Sequence, residues 1–261
     1  MTAIRPMADA DLVALADRLQ AADANELALE LLSALHPGHT RAQLAAVPVD
    51  RRDAQLLRWR RATFGDRMEA TSSCPACAER IEYTLSVQAL LAGADDEDAD
   101  DDALAGIGRT LELPFGELPG PPCRLRHPSS QDVGEALRVA SAASAASADE
   151  AIDAGVQALL LRCLAGSLQP DHDPRRLADA FGRALAEAAP LADPQVALQC
   201  PACGMQWDEA LDIARFLRAD IDAAALRLLH EVHALALAYH WSERDILALP
   251  AARRRFYLGC L

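Results

Sequence analysis

Aromatic side chains are scarce in this chain. Three Trp, 3 Tyr and 5 Phe make up 4% of 261 residues. Single-stranded nucleic acid is held largely by stacking bases on aromatic platforms, so that mode of binding is poorly supplied. Positive charge is also short. Lys and Arg total 25 against 39 Asp and Glu, a net charge of −14. A surface built to grip phosphates is basic, which disfavours nucleic acid in general. No run approaches the 18 or so uncharged apolar residues of a membrane-spanning helix. The opening MTAIRPMADADLVALADRLQ lacks the clean apolar core of a secretory signal, because Asp9, Asp11 and Asp17 interrupt it. The expectation is a cytoplasmic protein with reduced cysteines. Also missing are GxSxG, a P-loop and GxGxxG. His230-Glu231-Val232-His233 is one residue short of HExxH spacing; the two histidines lie three apart and could share a metal, and the bland reading is a partly buried polar seam or a surface pair. Nothing demands an enzyme or a small-molecule substrate.

What is present is mostly helical pattern. Leu12, Leu15, Ala16 and Leu19 recur at helical spacing, as do Leu27, Leu31, Leu32 and Leu35 before His36-Pro37-Gly38 ends the run. A third helix is expected from an N-cap at Asp50 through Leu56, Leu57, Trp59 and Phe64 to Gly65. Residues 81–87 then alternate apolar and polar, the signature of a half-buried strand. Further on, short strands are expected at 109–113 and 123–126, around the Pro/Gly-rich PFGELPGPP. Helices are expected from Ser129 or Ser130, over 149–165 and over 174–188. Val196 and Leu198 read as a strand, and a long amphipathic helix is expected over 209–238. Two short helices, opened by Ser242 and Pro250, close the chain. The stretch SAASAASA fits either a weak helix or a loop.

Residues 95–102, DDEDADDD, hold seven acids in eight positions. Such a block repels itself and has nothing to bury, so it reads as a solvated linker. Removing its seven negatives from −14 leaves −7, an ordinary surface charge.

The chemistry is concentrated in two copies of CPAC: Cys74-Pro75-Ala76-Cys77 and Cys200-Pro201-Ala202-Cys203. A CxxC turn puts two sulfurs on one side of a tight loop. Two such loops supply the four thiolates that a closed structural zinc site uses. Strand-like residues follow the first loop and precede the second, and Gly204 permits the left-handed turn of a zinc knuckle. Cys74, Cys77, Cys200 and Cys203 are therefore the expected ligands of a structural zinc ion, with no coordination position left open for catalysis. A redox role for CxxC needs a thioredoxin-like βαβ setting, and two copies would be redundant; two separate metal-free turns are the remaining reading. Zinc at such a site contributes roughly 10–16 kcal/mol of folding free energy, comparable to or above the 5–15 kcal/mol net stability of a domain. Cys163 and Cys123 read as buried core residues, and Cys260 as a free thiol.

The expected fold is α+β, mainly α-helical, with a small zinc-ribbon β element interrupted by an insertion. Its parts are an N-terminal helical region (1–66), a first ribbon half (67–92) and the acidic linker (93–103). An inserted strand and helical subdomain (104–190), a second ribbon half (191–208) and a C-terminal helical region (209–261) follow. The last segment departs from the rest in composition. YHWSERDILALPAARRRFYL is dense in aromatics and arginines. Trp, Tyr and Arg are frequent anchors of protein contacts, so Trp241, Arg253, Arg254, Arg255, Phe256 and Tyr257 are candidates for a partner surface. The alternative is a terminal helical hairpin docked on the core with a solvated charged face.

Three segments carry a resemblance: PVDRRDAQLLRWRRATFGDRMEATSSCPAC, CRLRHPSSQDVGEAL, and CPACGMQWDEALDIARFL continuing to YHWSERDILALPAARRRFYL. In that order they resemble the baseplate-assembly protein family of contractile tails. That family includes the hub assembly proteins of T-even-type phages and similar proteins of phage-tail-like contractile injection systems. The resemblance covers most of the chain apart from the acidic linker and the Ala/Ser-rich stretch. It implies a non-enzymatic chaperone or adaptor for the baseplate or inner tube, acting in the bacterial cytoplasm or on the particle. Tail, tube or baseplate proteins would be its partners. The four knuckle cysteines and the C-terminal aromatic–arginine segment carry over. Ala78 departs from the pattern, standing where the first knuckle often has Gly. A zinc-ribbon regulatory or nucleic-acid-binding protein is the rival reading. It requires a basic face at the knuckles, whereas Glu69, Glu79, Arg80, Glu82, Asp208 and Glu209 make the flanks mixed to acidic.

Overall fold

The computed structural model describes residues 6–22, 26–92, 110–113, 123–143, 147–164 and 173–261. The acidic block, PFGELPGPP, Gly166 and the middle of SAASAASA lie outside the described residues. The described residues are mainly helical, as the patterning predicts, and include three antiparallel strand pairs.

Helices α1 (Asp9–Gln20), α2 (Leu27–Leu35), α3 (Arg41–Ala45) and α4 (Val49–Phe64) come first. The short α3 escaped the periodicity reading; it is held by a capping box between Thr40 and Gln43. The N-cap of α4 is Pro48 and not Asp50. Pro48 is extended, and the Val49 N–H that follows donates to the Pro128 carbonyl at 2.8 Å. Asp50 is instead buried, 3.5 Å from His127 Nδ1.

Strands β1 (Arg67–Ser73) and β2 (Arg80–Ser86) form the first hairpin, with Met68 opposite Leu85 and Ser73 opposite Arg80. Val87 closes no strand; it opens α5 (Val87–Leu91), because the Ser86 hydroxyl accepts from the Ala89 N–H and starts a helix there. Asp66 fixes this corner, accepting from the Ser86 hydroxyl at 2.6 Å and the Gln88 N–H at 2.8 Å.

The insertion pairs β3 (Thr110–Leu113) with β4 (Cys123–Arg126) and carries α6 (Ser130–Ala143), α7 (Ala148–Cys163) and α8 (Pro174–Ala188). It has its own small core of Leu125, Leu160, Cys163, Leu177, Ala180 and Phe181. Asp132 is its polar centre. The buried carboxylate accepts from the Arg126 guanidinium, from Arg162 Nε at 2.9 Å and from the Ser129 hydroxyl at 2.6 Å. Burial alone would raise its pKa. The bonds from Arg126 and Ser129 outweigh burial and hold the carboxyl well below the usual carboxylate range.

After a 3-10 turn at Pro190–Ala192, β5 (Gln195–Gln199) and β6 (Gln206–Ala210) form the second hairpin. Helix α9 (Ile213–Tyr239) then crosses the body, followed by α10 (Glu243–Leu247) and α11 (Ala251–Leu258). The helix expected from Glu209 starts four residues later. Residues up to Ala210 are taken by the pairing with β5, and Asp212 caps the helix by accepting from the Arg215 N–H.

The N- and C-terminal helical regions do not form separate bodies. Leu15, Leu19, Leu31, Leu56, Leu57, Trp59, Leu217, Ile221, Leu235 and Ile246 belong to one core. Each fully buried large side chain contributes roughly 1.5–3 kcal/mol. This packing joins the two ends of the chain directly, without help from the knuckles. Arg60 ties the first hairpin to that core. Its buried guanidinium donates to Asp220 at 2.8 Å, to the Gly65 carbonyl at 2.9 Å and to the Arg67 carbonyl at 3.0 Å.

Candidate metal centre

Each CPAC forms the tip of a hairpin, and the two tips are built alike. The Cys74 N–H donates to the Glu79 carbonyl at 2.9 Å and the Ala78 N–H to the Cys74 carbonyl at 2.9 Å. In the second tip, the Cys200 N–H donates to the Met205 carbonyl at 2.8 Å and the Gly204 N–H to the Cys200 carbonyl at 2.9 Å. The residue after each second cysteine is left-handed, Ala78 with φ 60° and Gly204 with φ 77°. Gly adopts this region freely; Ala does so at a cost.

The four sulfurs converge although residues 78–199 separate the motifs. All four Sγ atoms lie within 4.8 Å of one another. Sulfur contacts between the hairpins include the Cys74–Cys203 and Cys77–Cys200 pairs, each at 3.6 Å. These are far longer than a disulfide bond. Four sulfurs about 2.3 Å from a central zinc in a tetrahedron would stand about 3.8 Å apart. The observed spacing fits that geometry. Cys74 and Cys200 are buried, and Cys77 and Cys203 face solvent.

The thiols perturb one another. Burial raises the Cys74 thiol, but the amides of Cys77 and Ala76 and the neighbouring Cys203 thiol outweigh it and bring it down to about 7. The Glu79 amide lowers the Cys77 thiol, yet its contacts with Cys203, Cys200 and Cys74 push it up to about 12. Once one thiolate forms, its neighbours resist ionising. A dication among them removes that resistance.

The hairpins belong to separate sheets, so no backbone ladder joins them. Glu209 on β6 bridges them instead, accepting from the Ser72 hydroxyl on β1 at 2.9 Å and from the Trp207 indole at 3.0 Å. Neither strand lent itself to the alternation reading. β1 is the polar RMEATSS, and the last two residues of β6, Glu209 and Ala210, fit the helical pattern that follows. If one ion binds all four sulfurs, the cluster leaves it no open position for water or substrate. It is also the one group of three or more metal-ligating side chains found among the described residues; His230 and His233 are exposed and belong to no such group.

The C-terminal candidates divide. Trp241 stacks on Tyr239 with centroids 4.9 Å apart and meets Tyr257 edge-on at 5.0 Å; all three pack against the main core. Arg253 and Arg255 are exposed, and Phe256 is 66% exposed. Arg254 corrects the expectation of a surface anchor. It is 2% exposed and donates to Glu231 at 2.8 Å and to the Leu249 carbonyl, while pairing with Asp9. Helical rotation explains the difference. Arg254 shares the inward face of α11 with Tyr257 and Leu258, while its two arginine neighbours turn outward. It joins α11, α9 and α1. Elsewhere, Cys163 is buried as expected, and burial pushes its thiol up to about 12; Cys260 is exposed and free, and the side chain of Cys123 lies outside the described residues.

No family model, no curated protein and no solved structure matches the chain. No helix among the described residues is long and apolar enough to cross a membrane.

Proposed function

We propose that this is a non-enzymatic, zinc-stabilised assembly factor, a chaperone or adaptor for the baseplate or inner tube of a contractile injection system or phage-like tail. The observation that carries the zinc part is the four-sulfur cluster with 3.6 Å contacts between hairpins. Zinc is favoured over other cations because four thiolates are soft ligands and tetrahedral geometry suits a d¹⁰ ion. When bound, it locks the two hairpins together where no backbone ladder does so.

The assignment to tails rests on the resemblance of the three segments quoted above. The outward part of the C-terminal segment, Arg253, Arg255 and Phe256 beside half-buried Trp241 and Tyr257, is the surface offered to a tail, tube or baseplate protein. Covering such a protein before assembly would block premature association. The exposed carboxylates of Glu69, Glu79, Glu82 and Asp208 on the hairpins support a protein partner over nucleic acid. The expected site of action is the bacterial cytoplasm.

The test is affinity capture of the tagged chain from cells co-expressing the neighbouring tail genes, with metal analysis of the same sample. A tube or baseplate component should co-purify in fixed ratio with a chain carrying one zinc ion. Capture of no tail component would sink the proposal. Recovery of tight, salt-sensitive DNA or RNA binding in a filter assay would revive the regulatory reading. Presence of the chain in finished particles would make it an adaptor, and absence a chaperone.

A further inference from the structure

We infer that the outward face of α9 is a self-pairing surface, on which a second copy of this chain docks antiparallel. The inner face of this helix, with Ile221, Ala225, Leu228, Val232 and Leu235, is buried in the main core. The outer face mixes exposed leucines with two histidines and Arg227. Leu226, Leu229 and Leu237 are 57%, 40% and 71% exposed. Ala223, His230 and His233 lie in the same exposed row. Ala223, Leu226, His230, His233 and Leu237 follow the alternating three- and four-residue spacing by which one helix seats on another. A solvated helix face normally carries few large apolar side chains, so three exposed leucines along the row opposite the core point to a second helix.

The stripe is symmetric in sequence. About the midpoint between Glu231 and Val232, an antiparallel copy sets Leu226 against Leu237 of the second copy. His230 then meets His233 of the second copy, and Leu229 meets Ala234 of the second copy. An isologous two-fold contact needs this kind of self-complementarity. Charge also selects the occupant. The chain carries −14 overall, yet α9 has one acid after Asp222, Glu231, and Arg254 holds it at the half-buried side. A basic partner finds no exposed carboxylate on this stripe, and an acidic partner or nucleic acid finds Arg227 alone. A neutral, leucine-bearing helix fits, and two copies of this acidic chain can meet here without opposing carboxylates. Ala223 to Leu237 spans about 21 Å of helix, a small contact, so the dimer is concentration-dependent.

The test is sedimentation velocity of the zinc-loaded full chain over a concentration series at neutral pH. The mass should rise from 27.9 kDa towards twice that value. Leu226→Glu and Leu237→Glu, both at exposed positions, should each weaken association at least about tenfold with unchanged circular dichroism. Leu137→Glu, exposed on α6, should leave it unchanged. The register has its own test. The chain contains no lysine, so thiol cross-linking is the suitable probe. In a Cys260→Ser background, a mixture of Leu226→Cys and Leu237→Cys chains should cross-link through a short bis-maleimide, with the parent chain as control. Leu226→Cys alone should not, because its two copies would lie eleven residues, about 16 Å, apart along the seam. A monomer at every concentration, or a dimer indifferent to both glutamates, would overturn the inference. Efficient cross-linking of Leu226→Cys to itself would overturn the antiparallel register.

Discussion

The two knuckles differ at one conformationally demanding position, and exchanging its residues measures what the turn costs. Ala78 and Gly204 both adopt the left-handed region, at φ 60° and 77°. An L-residue there costs roughly 1–2 kcal/mol. Glycine escapes that cost but loses about 0.5–1 kcal/mol more conformational freedom on folding. Ala78→Gly should therefore stabilise the zinc-loaded protein by about 0.5–1 kcal/mol. Gly204→Ala should destabilise it by a similar amount, because a Cβ at Gly204 would meet nothing within 4 Å and the penalty is purely conformational. The double exchange should return close to the starting stability, since the two tips share the same hydrogen bonds. Guanidinium unfolding at fixed free zinc measures all three. Destabilisation by Ala78→Gly of more than about 1 kcal/mol would refute the reasoning, since a strained alanine cannot be the better residue.

Arg254→Ala should cost about 2–4 kcal/mol by thermal or chemical unfolding, because it strands Asp9 and Glu231 against the core. Arg253→Ala and Arg255→Ala, on the exposed side, should fall within about 0.5 kcal/mol of the parent. Asp132→Asn should destabilise by about 1–3 kcal/mol at neutral pH, since it leaves the Arg126 and Arg162 guanidinium groups without their carboxylate. The folded-state pKa of Asp132 is depressed. Its contribution is therefore complete above the unfolded value near 3.9 and is lost as pH falls through the lower folded-state value. The gap between parent and Asp132→Asn should hold constant from about pH 7 to pH 5 and close below about pH 4; a gap that widens in acid would contradict the network.

The strongly periodic helices were legible because α1, α2 and α8 each bury one regular stripe, and the caps at Ser242 and Pro250 end where their chemistry directs. The four-cysteine cluster was legible because CxxC spacing carries its geometry locally. What was hidden depends on partners distant in sequence. The end of β6, Glu209 and Ala210, reads as the start of a helix until β5 supplies its ladder, and β1 is polar because its stability comes from the hairpin, Arg60 and Glu209. Asp50 has the composition of an N-cap but is drawn to His127 of the insertion. Arg254 stands in a run of three arginines whose outward members conceal the burial of the middle one. Local composition could not separate the three, because what decides their roles is rotation of α11 against α9.

The measurement that bears most directly on the account is native mass spectrometry of the purified chain, paired with thermal unfolding before and after chelation. The account predicts one zinc ion per chain in the parent and none in a Cys74→Ser, Cys200→Ser double variant. Chelation should lower the unfolding temperature, as expected for a site contributing roughly 10 kcal/mol or more. The helical core should keep its circular dichroism at moderate temperature, because it joins both ends of the chain without the hairpins. A metal-free parent chain, with the same unfolding temperature before and after chelation, would contradict the account.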